Sequence, residues 1–233
     1  MAEPAQALQP RFRLDADIRP MFEGLVESLA AAEVGEEPYR HWIWRDVFPE
    51  DAARTLLTLP FPKPDLHGVS GKRELHNDSR HYFDAVNNRR FPVCDRISRL
   101  FQAEETVALL QDTTGADLSD TNIRIEYTLD ADCFWLQPHT DLGVKRITIL
   151  YYLPDAPDQD DLGTDIYKDP DIWFARPRFE WNSALVFVPS DNTYHGFQSR
   201  EIPRIRRTVI VNYVTQDWRA REQLAYPTFP VRA

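Results

Sequence analysis

Five short runs of β-branched and aromatic residues between residues 120 and 215 constrain the fold of this chain most strongly. Turn-forming Gly, Pro, Asp and Asn separate them, and they read TNIRIEYTL, CFWLQPHTD, RITILYYL, SALVFVP and RRTVIVNYV. Short runs of this composition, divided by turn residues, are typical of antiparallel strands. The C-terminal half is therefore predicted to be antiparallel β.

Helical patterns are confined to the N-terminal half. Apolar residues recur at intervals of three and four over residues 18–32, and PEDAARTLLTL begins at Pro49 with acids in its first turn. PVCDRISRLFQ and AEETVALLQDTTG follow, the second ending at Gly115, a residue favoured just after a helix. We expect these helices to pack against the sheet of a mainly β chain with flanking helices (α+β).

The length of 233 residues suits one catalytic domain. We expect a tail or cap helix in residues 1–37 and a single domain in residues 38–233, with its β core at about 120–215. Residues 60–90 are polar and too long for a simple connection, and such loops often carry substrate contacts. The acidic residues 155–171 are interpreted as a solvated loop, with a lid over the site as the alternative.

The formal charge of −10 repels phosphate backbones, so nucleic acid is not an expected partner. The two cysteines, Cys94 and Cys133, form no metal-binding pair, and their scarcity is typical of a reducing compartment. No secretion signal and no apolar run of about 18 residues is present, so we expect a cytoplasmic protein without a membrane partner. The oligomeric state stays open.

Three residues in the β half form a candidate metal site. A strand places residues i and i+2 on one face, so His139 and Asp141 can direct two ligands to one point. A third ligand, His195, follows the strand SALVFVP. A second His-x-Asp pair, His76 and Asp78, lies in the polar region without a strand pattern beside it and is interpreted as surface.

Two imidazoles and one carboxylate on one side of a metal leave three adjacent positions open, the arrangement of non-haem iron(II) oxygenases. A 2-oxo acid would take two of these positions and dioxygen the third. The far carboxylate of such an acid needs a guanidinium. Arg206 is placed to supply it at the start of RRTVIVNYV, where Thr208 and Asn212 share its strand face and Arg207 points away.

Together these motifs resemble the 2-oxoglutarate/Fe(II) dioxygenase superfamily in its prolyl-4-hydroxylase-like branch. Residues 120–215 carry the resemblance through the His-x-Asp, the following RITILYYL, and the distal His followed by Arg-x-Thr in HGFQSREIPRIRRT. The resemblance implies a double-stranded β-helix (a jelly-roll, cupin-like core), the cofactor Fe(II), and the co-substrates 2-oxoglutarate and O2. It also implies that Tyr152 bonds the far carboxylate and that Tyr127 lines the co-substrate pocket.

The activity implied by the resemblance is hydroxylation of an unactivated C–H bond, with release of succinate and CO2. Asp141 favours hydroxylation, since relatives that halogenate leave the carboxylate position empty. A small polar substrate is the hypothesis that best fits the negative surface, and Phe197, Asn212 and Arg89 are candidates to contact it. Two alternatives stay open: a cupin-like metal enzyme that does not use 2-oxoglutarate, and a carbohydrate-binding jelly-roll module.

Overall fold

The computed structural model describes residues 11–63, 71, 80–141 and 143–232, which form eleven strands and five α-helices. The helices are α1 (Arg19–Ala30), α2 (Glu50–Leu57), α3 (Ala85–Arg90), α4 (Pro92–Gln102) and α5 (Glu104–Thr114). The strands are β1 (Glu33–Gly35), β2 (His41–Arg45), β3 (Arg80–Tyr82), β4 (Asn122–Asp130), β5 (Leu136–His139), β6 (Lys145–Tyr152), β7 (Asp165–Asp169), β8 (Ile172–Ala175), β9 (Ser183–Phe187), β10 (His195–Phe197) and β11 (Arg206–Val214).

The strands form two antiparallel sheets. The large sheet has seven strands in the order β1-β2-β9-β6-β11-β4-β3, and the small sheet has four in the order β5-β10-β7-β8. Several strands that are neighbours in a sheet are distant in sequence, as in the pairing of β11 with both β4 and β6. The predicted mainly antiparallel β chain with flanking helices is confirmed.

The central strand β11 shows how the large sheet separates two cores. Its residues alternate between the two faces, so Ile210 joins the cluster shared with the small sheet, while Val209 and Val211 join the cluster under the helices. Both faces are covered, which explains why the strand is apolar along most of its length. The predicted common face of Arg206, Thr208 and Asn212 follows from the same alternation.

Local sequence explains where the helices begin and end. Asp84 caps α3 by accepting hydrogen bonds from the backbone N–H groups of Val86 and Asn87, both at 2.8 Å. Pro92 stands in the first turn of α4, where its missing N–H costs nothing. The helix α5 ends at Gly115, whose φ of +75° is the left-handed conformation that glycine adopts without strain.

The region before residue 38 belongs to this architecture. Met21 and Leu25 of α1 are fully buried in the core under the helices, and β1 pairs with β2 at the edge of the large sheet. The boundaries drawn at residues 37 and 38 stay a prediction. Within the described ranges, every helix is too short or too polar to cross a lipid bilayer.

One loop interpretation is wrong. Within the acidic residues 155–171, Asp165–Asp169 forms β7, and Asp165 itself is completely buried. Its carboxylate accepts hydrogen bonds from Arg176 and Arg200, at 2.7 and 2.8 Å, so the acid is neutralised inside the fold. In the polar residues 60–90 the structure adds β3 and α3, while His76 and Asp78 lie outside the described residues.

Candidate active site

The three predicted metal ligands meet at one end of the small sheet. His139 ends β5 and pairs in register with His195, the first residue of β10, and Asp141 follows two residues after His139. The ligand atoms of the three side chains all lie within 4.8 Å of one another. Asp141 and His195 are buried and His139 is half-buried, so the cluster opens to one side.

Backbone carbonyls orient both imidazoles. Nδ1 of His139 lies 3.0 Å from the carbonyl oxygen of Gln137, and Nδ1 of His195 lies 3.0 Å from that of Thr193. Because a carbonyl oxygen only accepts, each Nδ1 carries the proton. Each Nε2 is therefore the unprotonated ring nitrogen, and the oxygens of Asp141 lie 3.8 Å from Nε2 of His139 and 3.7 Å from Nε2 of His195.

The protonation states of the ligands also suit a metal. Burial alone would raise the pKa of Asp141, but the charge of Lys145 and the two imidazoles hold that pKa well below its usual range. Burial lowers the pKa of His195 to about 3, although the Asp141 carboxylate opposes this shift. Near neutral pH the cluster thus offers one carboxylate and, at His195, an uncharged imidazole, the forms that bind a metal.

Two donors fix the Asp141 carboxylate. Nζ of Lys145 donates to Oδ1 at 2.8 Å, and the hydroxyl of Thr148 donates to Oδ2 at 2.9 Å. Behind it, Nδ2 of Asn212 donates to Oγ1 of Thr148 at 3.0 Å and to the carbonyl of Ile147 at 3.3 Å. A chain of hydrogen bonds therefore runs from β11 through β6 to the carboxylate.

A pocket connects the triad to Arg206. Phe134 and Phe197 form an apolar wall on one side of it. The residues that line the pocket are Phe134, Leu136, His139, Asp141, Lys145, Thr148, Leu150, Thr164, His195, Gly196, Phe197, Arg206 and Ile210.

Arg206 is only 3% exposed and its guanidinium is held from several sides. Nε donates to the carbonyl of Leu162 at 2.6 Å, one terminal nitrogen donates to Asp130 at 2.5 Å, and the other to Thr164 Oγ1 at 3.3 Å. The Phe197 ring also lies against it, with its centroid 4.7 Å from Cζ. A guanidinium has five N–H donors, so this fork retains donors for a ligand.

Two further candidates lie near this guanidinium. The side chain of Thr208 hydrogen-bonds that of Thr128 on β4, and the hydroxyl of Tyr152 accepts from the backbone N–H of Thr164 at 3.2 Å. Tyr152 and Thr208 are paired across β6 and β11. Tyr152, Thr208 and Arg206 therefore lie on the side of the large sheet that faces the small one.

The prediction for Tyr127 needs correction. Tyr127 pairs with Val209, so its side chain points into the core under the helices, where its hydroxyl donates to the carbonyl of Leu56 at 3.0 Å. The alternation of β4 turns the neighbouring Thr128 toward the pocket side instead. The structure does not bring Tyr127 to the pocket that Arg206 lines.

The three candidate substrate residues have different surroundings. Phe197 lines the pocket beside the triad. Asn212 faces the same side but is fully buried against Thr148. Arg89 is exposed on α3 and is not among the residues that line the pocket. Of the three, Phe197 has the placement expected of a substrate contact.

Sequence reasoning missed three polar residues of the pocket: Lys145, Thr148 and Thr164. The strand alternation in RITILYYL does place Thr148 on the same face as Tyr152, and this signal was available. The contact of Lys145 with Asp141 depends on the turn between β5 and β6, where Gly143 has a φ of +108°. The path of this turn could not be derived from strand periodicity.

This geometry defines a class of site: two imidazoles and one carboxylate on the rim of a pocket between two antiparallel sheets, with a guanidinium in the same pocket. Imidazole and carboxylate donors suit Fe(II), and also Mn, Co, Ni or Zn. The oriented Nε2 atoms and the ionised carboxylate fit such an ion.

Comparison with solved structures identifies proteins that share the fold. A prolyl 4-hydroxylase from Phytophthora capsici superposes with a TM-score of 0.54 at 15% identity, over 87% of this chain and 66% of that protein. The Trichoplax adhaerens prolyl hydroxylase solved with a peptide fragment of a hypoxia inducible factor gives 0.50 at 14%, over 86% and 91%. HygX from Streptomyces hygroscopicus, solved with nickel and 2-oxoglutarate, gives 0.50 at 12%, over 83% and 90%.

These similarities show the fold, the double-stranded β-helix that the motifs predicted. The chain spans 66% of the length of the Phytophthora protein. No protein-family model matches the sequence, and no curated protein matches it.

Proposed function

We propose that the protein is a 2-oxoglutarate- and Fe(II)-dependent oxygenase that hydroxylates an unactivated C–H bond of a small polar substrate, with release of succinate and CO2. One observation supports this most directly: His139, Asp141 and His195 converge on one point in a pocket that also contains the buried fork of Arg206. Metal ligands without this guanidinium would fit many metalloenzymes. The pair of features fits an enzyme that binds a metal and a diacid together.

The residues have distinct roles in this proposal. His139, Asp141 and His195 hold the ion, and Asp141 fills the position that would otherwise be open to a halide. Bound Fe(II) would supply the oxidative chemistry, in which one O2 gives one oxygen atom to succinate, formed from 2-oxoglutarate with loss of CO2, and the other to the hydroxyl group of the product. Arg206 binds the far carboxylate of 2-oxoglutarate. Thr208 and Tyr152 assist this binding from the same end of the pocket.

The apolar pocket wall has a role of its own. Phe134 and Phe197 are almost completely buried, and their ring centroids lie 5.6 Å apart. A water-excluding wall beside the metal ligands limits side reactions and strengthens the electrostatic contacts inside the pocket. Phe197 also reaches the guanidinium of Arg206, so it keeps that charge away from water.

The first experiment is spectroscopic. Purified protein with Fe(II) and 2-oxoglutarate under anaerobic conditions should develop the visible charge-transfer band of a metal-chelated 2-oxo acid. Arg206→Gln should raise the 2-oxoglutarate concentration needed for half of this band. Arg207→Gln is the matched control, because Arg207 neighbours it but bonds Asp155 at the surface. A flat spectrum with the wild type would favour a metal enzyme that does not use 2-oxoglutarate.

The second experiment tests turnover. Succinate release is measured with Fe(II), 2-oxoglutarate, O2 and a panel of small polar metabolites, with His139→Ala as the blank. The proposal expects at least one metabolite to stimulate release above the blank. If the band forms but peptides stimulate succinate release and small metabolites do not, the result supports the oxygenase function. It then contradicts the proposal that the substrate is a small polar molecule.

A further inference from the structure

We propose that Arg200 is a positioning residue, which fixes Phe197 against the guanidinium of Arg206. The proposal rests on the proposed oxygenase function and concerns how the pocket recognises the far carboxylate of the 2-oxo acid. Arg200 would set the preference of the pocket for a diacid over a monoacid without contacting the acid itself.

The ring of Phe197 links the two arginines. Its centroid lies 3.7 Å from Cζ of Arg200 and 4.7 Å from Cζ of Arg206. A guanidinium stays protonated in proteins, and its charge is attracted to the face of an aromatic ring. Phe197 is 2% exposed, so this attraction acts away from water. The position of the ring therefore depends on both guanidiniums.

Arg200 lies behind this ring and outside the pocket. Phe197 and Arg206 line the pocket, whereas Arg200 is not among the described residues that do so. The side chain of Arg200 follows Phe197 by three residues, just after the end of β10. Arg200 therefore acts on the pocket through its neighbours and not by contact with a ligand.

The segment LGTD at residues 162–165 is a second link between the arginines. Arg206 donates to its first and third residues, at 2.6 Å to a backbone carbonyl and at 3.3 Å to a hydroxyl oxygen. Arg200 donates to its second and fourth residues, at 2.7 Å to a backbone carbonyl and at 2.8 Å to the carboxylate of Asp165. A displacement of Arg200 would thus also disturb the support of Arg206.

The Asp165 carboxylate holds Arg200 in place. It is completely buried, and its Oδ2 accepts from Arg200 at 2.8 Å and from the backbone N–H of Gln198 at 2.6 Å. Its Oδ1 accepts from Arg176 at 2.7 Å and from an indole N–H at 3.0 Å. Because Gln198 directly follows Phe197, the same carboxylate fixes the backbone beside the ring.

This support matters because a guanidinium binds a carboxylate directionally. Two parallel N–H···O bonds form when the fork and the carboxylate are aligned. Loss of Arg200 would free Phe197 to move away from Arg206, which would weaken the pair with the far carboxylate. The metal-binding end of the acid should be unaffected, because backbone carbonyls and Thr148 orient the metal ligands.

The test compares 2-oxoglutarate with 2-oxopentanoate, which has the same carbon chain but a methyl group in place of the far carboxylate. Each acid is titrated into the full-length protein with Fe(II) under anaerobic conditions, and the charge-transfer band is recorded. Arg200→Met should raise the half-saturating concentration of 2-oxoglutarate about tenfold, as expected for one desolvated cation–π contact. The initial slope of the band with 2-oxopentanoate should change less than twofold, because this acid does not use the guanidinium.

Arg176→Met is the matched control. Arg176 donates to the same Asp165 carboxylate at 2.7 Å, but its guanidinium lies over the ring of Trp173. This variant should bind 2-oxoglutarate within twofold of the wild type. Arg200→Lys keeps a positive charge beside Asp165 and so preserves the fold, but an ammonium cannot replace the fork. We expect it to raise the half-saturating concentration of 2-oxoglutarate by more than twofold.

A double-mutant cycle tests whether the effect passes through the ring. Arg200→Met should raise the half-saturating concentration of 2-oxoglutarate less in protein that already carries Phe197→Leu than in the wild type. An equal rise in both backgrounds would overturn the role of Phe197. Mn(II) affinity, followed by the paramagnetic resonance of the free ion, should stay within twofold of the wild type in Arg200→Met.

The outcomes separate this proposal from the proposed function. It is overturned if both Arg200 variants bind 2-oxoglutarate as the wild type does, or if Arg176→Met weakens binding as much as Arg200→Met. A parallel loss of affinity for both acids also overturns it, because Arg200 would then support the fold alone. A wild type without the band contradicts the oxygenase function and the role of Arg200 together. A wild-type band with unchanged Arg200 variants contradicts the positioning role alone.

Discussion

Thr148→Val removes the hydroxyl that holds the Asp141 carboxylate while it preserves the shape of the side chain. Thr148 donates to Oδ2 of Asp141 and accepts from Nδ2 of Asn212, so one substitution breaks both links of the chain. Valine is favoured in a central strand, and the backbone of β6 should be undisturbed. The change therefore isolates the contribution of orientation to metal binding.

Two magnitudes follow from these contacts. Loss of a partner that orients a metal ligand weakens metal binding by about 10- to 100-fold, or roughly 1.4–2.7 kcal/mol. The buried Asn212 amide also loses its better acceptor and keeps only the carbonyl of Ile147 at 3.3 Å. An unsatisfied buried donor costs about 1–3 kcal/mol. At about 2–4 °C per kcal/mol for a chain of this size, the melting temperature should fall by about 2–12 °C.

The assay titrates Mn(II) into the protein and follows the free ion by its paramagnetic resonance signal. The expected result is a 10- to 100-fold higher dissociation constant for Thr148→Val, with Thr148→Ser close to the wild type because serine keeps the hydroxyl. The reasoning is refuted if Thr148→Val binds Mn(II) within twofold of the wild type while its melting temperature falls. Thr148 would then stabilise the sheet without orienting Asp141.

Three further predictions concern other parts of the site. Gly196→Ala should abolish Mn(II) binding, because its Cβ would lie 2.7 Å from the carbonyl oxygen of Leu136 and force β10 away from β5; unchanged binding would contradict the register that brings the histidines together. Asp130→Asn should lower the free energy of unfolding by about 3–5 kcal/mol, since it leaves the Arg206 charge buried without its carboxylate. Added 2-oxoglutarate with Mn(II) should then raise the melting temperature of this variant more than that of the wild type, and an equal rise would argue against Arg206 as its anchor. Burial lowers the pKa of His195 from 6.5 to about 3, so protonation of this imidazole favours the unfolded chain. The free energy of unfolding of the metal-free protein should therefore fall as the pH drops from about 6.5 toward 3. In urea titrations at several pH values, His195→Asn should lack this part of the slope, at most about 1.4 kcal/mol per pH unit; identical slopes would contradict a buried neutral imidazole.

Strand periodicity was the strongest guide to this fold. The five β-branched runs correspond to β4, β5, β6, β9 and β11, and alternation on β11 placed Arg206 and Thr208 on one face. The i, i+2 spacing likewise predicted that His139 and Asp141 would share a point, and the structure brings His195 to the same point. Their roles as iron ligands and as co-substrate anchor stay predictions.

The remaining features depend on contacts between distant segments. The strand β7 was missed because its acidic composition is typical of a loop. Arg176 and Arg200, both more than ten residues away, supply the positive charges that make a buried Asp165 acceptable. The orientation of Tyr127 depends on the register between β4 and β11, which sequence alone did not supply. A shift of one residue in that register would turn every side chain of the strand to the other face.

The division of the site between two sheets has a consequence for stability. His139 and His195 belong to the small sheet, whereas Arg206 belongs to the large one. A diacid that chelates the ion at one end and pairs with the guanidinium at the other would link the two sheets across the interior. Such a link opposes separation of the two sheets. The metal and the diacid together should therefore stabilise the protein against unfolding more than either does by itself.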